Sequence, residues 1–314
     1  MDGPAPFVCP PAVPRHLRGG SRGLALVLPL GVQEPMRTDI HTHIFHPRIA
    51  GRAVEYLETY YHIHCQGTGT LVDLRQRAAR AGMERCVVSC AATAPAQVIP
   101  VNRHAVEVQE HTPGVLALGT IHPGCADWEG QLHWLREHHI QGVKLHPDFQ
   151  GFWLDDPRLE PILECAAALK LVCLFHIGDA KAPQESPSCP YKLAAILDKF
   201  PPLTVIAAHM GGYRQWEHAE KALIGRDVWL DTSSSADFLE PATLRRLLNA
   251  HDPERLLFGS DYPLYDPLDA LRLLQTRGGL DDARMERLLH NADKLLASVP
   301  HPTKDDAHVI PVSR

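Results

Sequence analysis

The residue types and spacings that could do chemistry in this chain point to a metal. His41 and His43 stand two apart in the run Asp39-Ile40-His41-Thr42-His43. In an extended strand residues i and i+2 point to the same side, so the two imidazoles project together and suit one ion. Lys144 and His146 repeat that spacing. His176 follows the apolar run 171–175, His209 follows 204–208 and Asp261 follows 256–260. Each is a polar group that closes an apolar stretch. A single histidine in such a place is most often a satisfied side chain at a strand end. Five strand ends that all offer nitrogen or oxygen read differently, because desolvated polar groups are costly unless something pairs with them. Three imidazoles and one carboxylate match the preferences of zinc and leave room for water or a substrate.

These side chains need a scaffold that brings distant strand ends together. From Thr38 onward short apolar runs alternate with amphipathic stretches. The pattern predicts strands at 38–44, 85–90, 116–121, 142–146, 171–177, 204–208, 228–232 and 255–259. It predicts helices at 70–81, 101–111, 128–139, 158–169, 191–200, 213–224, 241–250 and 267–276, with a closing helix at 285–297. In the fifth of these helices Leu193, Ile196, Leu197 and Phe200 recur at helical spacing. Strands alternating with helices imply a parallel sheet. Eight such pairs in 314 residues predict a (β/α)8 TIM barrel rather than an open doubly wound sheet. No Gly-x-Gly-x-x-Gly follows a strand, so a dinucleotide fold has no support. Active sites of such barrels lie at the C-terminal ends of the strands, where the polar residues above fall.

Residues 1–35 read as an irregular or disordered leader, rich in Pro, Gly and Arg. Met36 reads as the natural start, with an arm that packs under the barrel or on a neighbouring subunit as the alternative. The barrel is expected over 36–297 and a loose tail over 298–314. The stretch 23–32 is apolar and follows Arg15, Arg18 and Arg22, but Pro29 interrupts it and no small-residue cleavage site follows, so it is not read as a signal peptide. With 31 Lys plus Arg against 37 Asp plus Glu, the formal charge of −6 lacks the basic footprint of a nucleic-acid binder. No apolar run reaches the roughly 18 residues of a membrane span. The 8 cysteines form no Cys-x-x-Cys and read as reduced thiols of a cytoplasmic protein. The partner expected is a small-molecule substrate, with no nucleic acid and no membrane; a homo-oligomer is compatible with the sequence.

The chain resembles the amidohydrolase superfamily, in its amidohydrolase-2 branch related to aminocarboxymuconate-semialdehyde decarboxylase. The matching motifs run in the family's order: DIHTHIF at 39–45, GVKLHP at 142–147, FHIG at 175–178, AHMGG at 208–212, LLFGSDYP at 256–263 and NADKLL at 291–296. The resemblance implies that His41, His43, His176 and Asp261 hold the metal. It makes His209 a catalytic histidine or a second-metal ligand, and Asp261 the group that takes a proton from metal-bound water. In binuclear relatives such as dihydroorotase a lysine like Lys144 is carboxylated and bridges two ions. Without that modification Lys144 would bind a substrate carboxylate as a point charge. One zinc ion is the reading adopted, two if Lys144 is carboxylated, with Mn2+ or another divalent metal as alternatives.

His146 shares a strand face with Lys144 and is expected at the substrate. The loop 149–156, with Phe152, Trp153, Asp155 and Asp156, is expected to cover the site, and His46, Tyr213 and Tyr262 follow strand ends. Lys144, His146, Trp153 and Tyr262 are taken as substrate-binding residues. His62, His64, His138 and His139 read as structural. The leading expectation is hydrolysis of a small amide, lactone or ester by a metal-activated water. In it Asp261 serves as base and His209 stabilises the oxyanion or protonates the leaving group. The alternatives are metal-dependent, non-oxidative decarboxylation of a small unsaturated or aromatic carboxylic acid, and a catalytically inactive binding protein.

Overall fold

The computed structural model of the chain describes residues 35–299. The expectations for positions 1–34 of the leader and 300–314 of the tail lie outside the described residues. Among the described residues nine short strands run in chain order: β1 Thr38–His43, β2 Arg85–Ser89, β3 Val115–Ala117, β4 Gly119–Thr120, β5 Gly142–Leu145, β6 Val172–Phe175, β7 Val205–Ala207, β8 Trp229–Asp231 and β9 Leu256–Leu257. Neighbours pair in parallel in two runs, β1 to β3 and β4 to β9. The two runs are one barrel. The third expected strand is interrupted at Leu118, whose N–H donates to Val88 O at 2.9 Å and so bridges the break. The other seam closes where Ile40 N donates to Phe258 O at 2.9 Å, Asp261 N to His41 O at 2.9 Å and His43 N to Tyr262 O at 2.7 Å.

The strands read as near-continuous apolar runs because both faces are covered. Their outward residues, such as Val143, Cys173, Phe175 and Val205, pack under Leu132, Ile162, Leu163 and Leu193 of the helical ring. Inside, Ile40, Val87, Leu118, Leu174, Ile206 and Leu257 form a second apolar cluster, capped by Ala292 and Leu295 of the helix Asp282–Ala297. The pairing of β1 with β2 slips between Asp39 and Thr42. That bulge inserts an extra residue, as bulges beside active sites often do. It lets Ile40 join the inner apolar cluster while His41 faces Lys144.

Helix ends follow local rules. Thr70 Oγ1 accepts from Asp73 N at the start of Leu71–Arg80, and Asp266 and Asp281 cap Pro267–Gly278 and Asp282–Ala297 in the same way. Pro opens Pro190–Lys199, Pro241–Ala250 and Pro267–Gly278, at the position where its missing N–H is harmless. The helix Ala50–Tyr61, after β1, was not expected. It has no side-chain cap and buries only Ala50 and Leu57, and Ile49 at its start gives no capping signal. No helix among the described residues is long and apolar enough to cross a membrane.

Candidate metal centre and substrate cavity

Three donor atoms meet at the C-terminal end of the barrel. His41 Nε2 lies 3.1 Å from His43 Nε2. Asp261 Oδ1 lies 3.6 Å from the first and 3.3 Å from the second. Tetrahedral zinc, with bonds of about 2.0–2.2 Å, sets its ligand atoms roughly 3.3–3.6 Å apart. The second nitrogens decide what these atoms can do. His41 Nδ1 is 2.9 Å from Asp231 Oδ2, and His43 Nδ1 is 3.2 Å from Ser89 O. Carboxylate oxygens only accept, so His41 Nδ1 carries the proton and its Nε2 presents a lone pair, while His43 has an oxygen at each nitrogen, Ser89 at Nδ1 and Asp261 at Nε2. A bound cation would take these two nitrogens and the carboxylate oxygen as ligands. The carboxylate–histidine contact of Asp231 with His41 is also the arrangement that orients metal-ligating imidazoles. The donor set therefore fits a divalent ion.

Lys144 stands beside this triangle, its Nζ 3.0 Å from His41 Nε2. Burial brings the ammonium down to about 8. Burial opposes ionisation of Asp261, yet His41, His43 and His209 hold its carboxyl well below the usual carboxylate range. Burial also lowers His209 to about 4, and it lowers His41, His146 and His176. Desolvation thus keeps the imidazoles neutral, the form in which they ligate metals. His209 Nε2 lies 2.9 Å from His176 Nδ1, and His176 Nε2 donates to Gly178 O at 2.9 Å. His176 is thereby grouped with His146 and Asp148, whereas His41, His43 and Asp261 form their own group. Ser233 Oγ ties His209 Nδ1 at 2.9 Å to His41 Nδ1 at 3.0 Å and also bonds Asp231. Asp261 and His209 both sit at positive φ, 64° and 61°. Such strain in non-glycine residues persists only where the surroundings over-determine it, and it gathers at functional sites. Gly259 serves the same centre: a Cβ there would stand 2.8 Å from His41 Cβ.

A cavity of about 560 Å3 opens over the triangle. His43, Lys144, His146, His176, His209 and Asp261 line it, and His46 lies on its wall. His41 stands fully buried behind it. Two expected substrate-binding residues are corrected. Trp153 is 42% exposed and packs under Lys192 Nζ at 4.8 Å. Pro147–Gln150 forms a short helix that ends at Gly151 in the left-handed conformation. The chain turns there, so that Phe149 lines the cavity, Phe152 enters the core and Trp153 faces outward. Tyr262 is buried, but its hydroxyl donates to Asp73 Oδ2 at 2.9 Å, under the start of the helix Leu71–Arg80. Tyr213 packs its ring 5.7 Å from that of His209.

Sequence reasoning missed Asp231 and Tyr61. Asp231 closes the apolar run Val228–Leu230 just as His176 and His209 close theirs, so the same rule would have found it. Tyr61 ends the unpredicted helix Ala50–Tyr61 and lines the cavity; nothing in its local pattern marks it.

A family model described as amidohydrolase matches residues 38–297. No curated protein matches the chain. Among solved structures, the chain is similar to 5-carboxyvanillate decarboxylase LigW from Sphingomonas paucimobilis, at 13% identity and a TM-score of 0.61 over 84% of this chain and 99% of that one. It is similar to an uncharacterised TIM-barrel protein of Bordetella bronchiseptica, at 19% identity and a TM-score of 0.63 over 83% and 99%. It is also similar to the 5-carboxyvanillate decarboxylase of Novosphingobium aromaticivorans with bound manganese and a nitrobenzoic acid, at 15% identity and a TM-score of 0.61 over 85% and 98%. At these identities the likeness establishes the fold. The expectation of amide, lactone or ester hydrolysis is corrected here, because the two of these neighbours with a stated activity are decarboxylases.

Proposed function

This chain belongs to the amidohydrolase family, and on that premise we propose that it is a metal-dependent, non-oxidative decarboxylase of a small unsaturated or aromatic carboxylic acid. The observation that carries the reading is the division of the cavity. His43, Lys144, His146, His176, His209 and Asp261 stand at the barrel's strand ends, while Phe45, Leu57, Val101, Val108 and Phe149, with His46, Thr93, Gln97 and His104 among them, make the remaining wall mainly apolar. Such a space suits a flat apolar body with one charged end. The decarboxylase neighbours support the same choice.

His41, His43 and Asp261 would hold the ion, and the family resemblance adds His176. When bound, the ion supplies a fixed positive charge that draws electron density from the oxygens of the substrate. Lys144 adds a second positive charge beside it and receives the carboxylate end. His209 takes up the proton that enters with the acid, delivers it as an imidazolium from Nε2 to the carbon that bears the carboxylate and returns to the neutral imidazole; the Ser233 hydroxyl at Nδ1 links that ring to Asp231. The carbon–hydrogen bond forms, the bond to the carboxylate breaks with its electron pair returning to the unsaturated system, and carbon dioxide leaves. Nitrogen and carboxylate donors accept zinc or manganese. We adopt one ion, with Lys144 uncarboxylated and charged, and elemental analysis of protein purified without chelators assigns the metal. The test is carbon dioxide release from a panel of hydroxybenzoic and unsaturated acids by metal-loaded protein. Release that depends on metal and disappears in His209→Asn at unchanged metal content is the expected result. No release from any acid, with the metal present, sinks the reading.

A further inference from the structure

The phenol of Tyr61 is held in a way that none of the roles above uses. Three rings stack in a column: Phe149 on His146, with centroids 3.9 Å apart and planes within 3°, and His146 on His176, 3.8 Å apart and within 9°. The stack fixes the plane of the His146 imidazole and so the positions of its two nitrogens. Nδ1 lies 3.3 Å from the backbone N–H of Phe149, which it caps together with the His146 carbonyl at 3.1 Å. An N–H can only donate, so Nδ1 presents its lone pair and the proton of the neutral ring sits on Nε2. Nε2 lies 3.1 Å from Tyr61 Oη. The imidazole therefore donates to the phenol, and the hydroxyl proton of Tyr61 must go elsewhere. Neighbouring phenols show the contrast. Tyr60 gives its proton to Asp179 at 2.9 Å and Tyr262 gives its own to Asp73 at 2.9 Å. Among the described residues Tyr61 Oη has no hydrogen-bond partner besides His146, and it lines the cavity that holds Lys144, His209 and Asp261.

We propose that Tyr61 is a substrate-binding hydrogen-bond donor, aimed by His146 at an oxygen of the bound acid. This rests on the reading of the cavity as the site of a carboxylic acid. It also changes the part played by His146, which acts on the ligand through Tyr61 rather than by touching it. Both nitrogens of His146 are already committed, and its ring faces are covered by Phe149 and His176.

Titration calorimetry of purified, metal-analysed protein with benzoate and with 2-hydroxybenzoate tests the proposal. Tyr61→Phe keeps the ring and removes the donor; binding should weaken roughly tenfold, the usual scale for a hydrogen bond to a charged oxygen. A loss for both probes places the contact on the carboxylate, and a loss for 2-hydroxybenzoate alone places it on the ring oxygen. His146→Phe keeps the stack and removes the Nε2 proton. It should give a smaller loss, and the double variant should bind no worse than Tyr61→Phe, a coupling that a merely structural role of His146 would not produce. Nitrogen NMR of histidine-labelled protein, with His146→Phe to assign the signal, should show the proton on Nε2.

Equal affinities of wild type and Tyr61→Phe for both probes overturn the proposal. So does a wild type that binds neither probe, or a His146 protonated on Nδ1. The decarboxylation reading fails separately. If Tyr61-dependent binding holds and no acid releases carbon dioxide, that reading falls and the donor stands. If Tyr61→Phe releases carbon dioxide with an unchanged kcat/KM, the donor falls and decarboxylation stands.

Discussion

The two ends of the barrel interior are built by the same strands on opposite principles. At the N-terminal end Ile40, Leu174, Ile206 and Leu257 close an apolar plug with Leu295. A few residues further along the same segments stand His41, His176, His209 and Asp261, all buried. The plug gains free energy from each apolar surface removed from water, whatever the neighbour's orientation. The polar end has no such latitude. Each buried donor or acceptor is costly alone and acquires value only from a named partner. His41 is defined by Asp231 at one nitrogen and by His43 and Asp261 around the other. One end of the barrel therefore specifies stability, and the other specifies chemistry.

That division can be broken one residue at a time. The largest effect belongs to His41→Ala, which removes a donor from the triangle. Metal content by elemental analysis and turnover should fall together to background, and full occupancy in this variant would show that the triangle is not the metal site. Asp231→Asn leaves every ligand in place and weakens the group that orients His41. Changes of this kind typically cost about 10–100-fold in metal affinity or activity, to be read by chelator competition; unchanged affinity would make Asp231 a structural residue only. Lys144→Met should keep one metal per chain and raise KM more than it lowers kcat, because in the proposed reading it removes the charge that receives the carboxylate. A drop in metal stoichiometry would instead mark Lys144 as a bridge between two ions.

The apolar end should respond in the opposite sense. Leu174→Ala leaves a cavity in the plug and should cost about 2–5 kcal/mol of stability, while the folded fraction keeps its kcat. Denaturant midpoints and active-site titration separate the two, and a kcat loss at full folding would show that the ends are coupled. The smallest effect is expected at Trp153→Ala. Its ring lies outside the cavity wall, so kcat/KM should not move, and stability should change by no more than about 0.5 kcal/mol, as for most surface positions. A tenfold loss of kcat/KM would return Trp153 to the site.

Much of the polar end is legible without coordinates. His41 and His43 share a strand face by spacing alone, and their Nε2 atoms do meet at 3.1 Å. His176, His209 and Asp261 announce themselves by ending apolar runs, since a buried strand that suddenly turns polar has reached the rim of its barrel. The alternation of runs and amphipathic stretches foretold the eight strands, with β3 and β4 as two pieces of one. The misses have a common character. Trp153 and Tyr262 were assigned by closeness in sequence to site residues, and local proximity does not set direction. A left-handed Gly151 turns one outward, and Asp73 draws the hydroxyl of the other away.

Spacing along the chain determined which residues share a strand face and which ones stand at a strand end. Local alternation of apolar and polar residues is enough for that, because the pleat of a strand and the pitch of a helix are fixed by the backbone. Only the closed barrel decided which partner each of them meets. The bulge in β1 turns Ile40 into the plug while His41 faces Lys144, and Asp231 reaches His41 across 190 positions of sequence. Phe149 and His176 clamp the imidazole that aims Tyr61. Those contacts depend on strand register and barrel closure, which join residues with no periodic relation to one another.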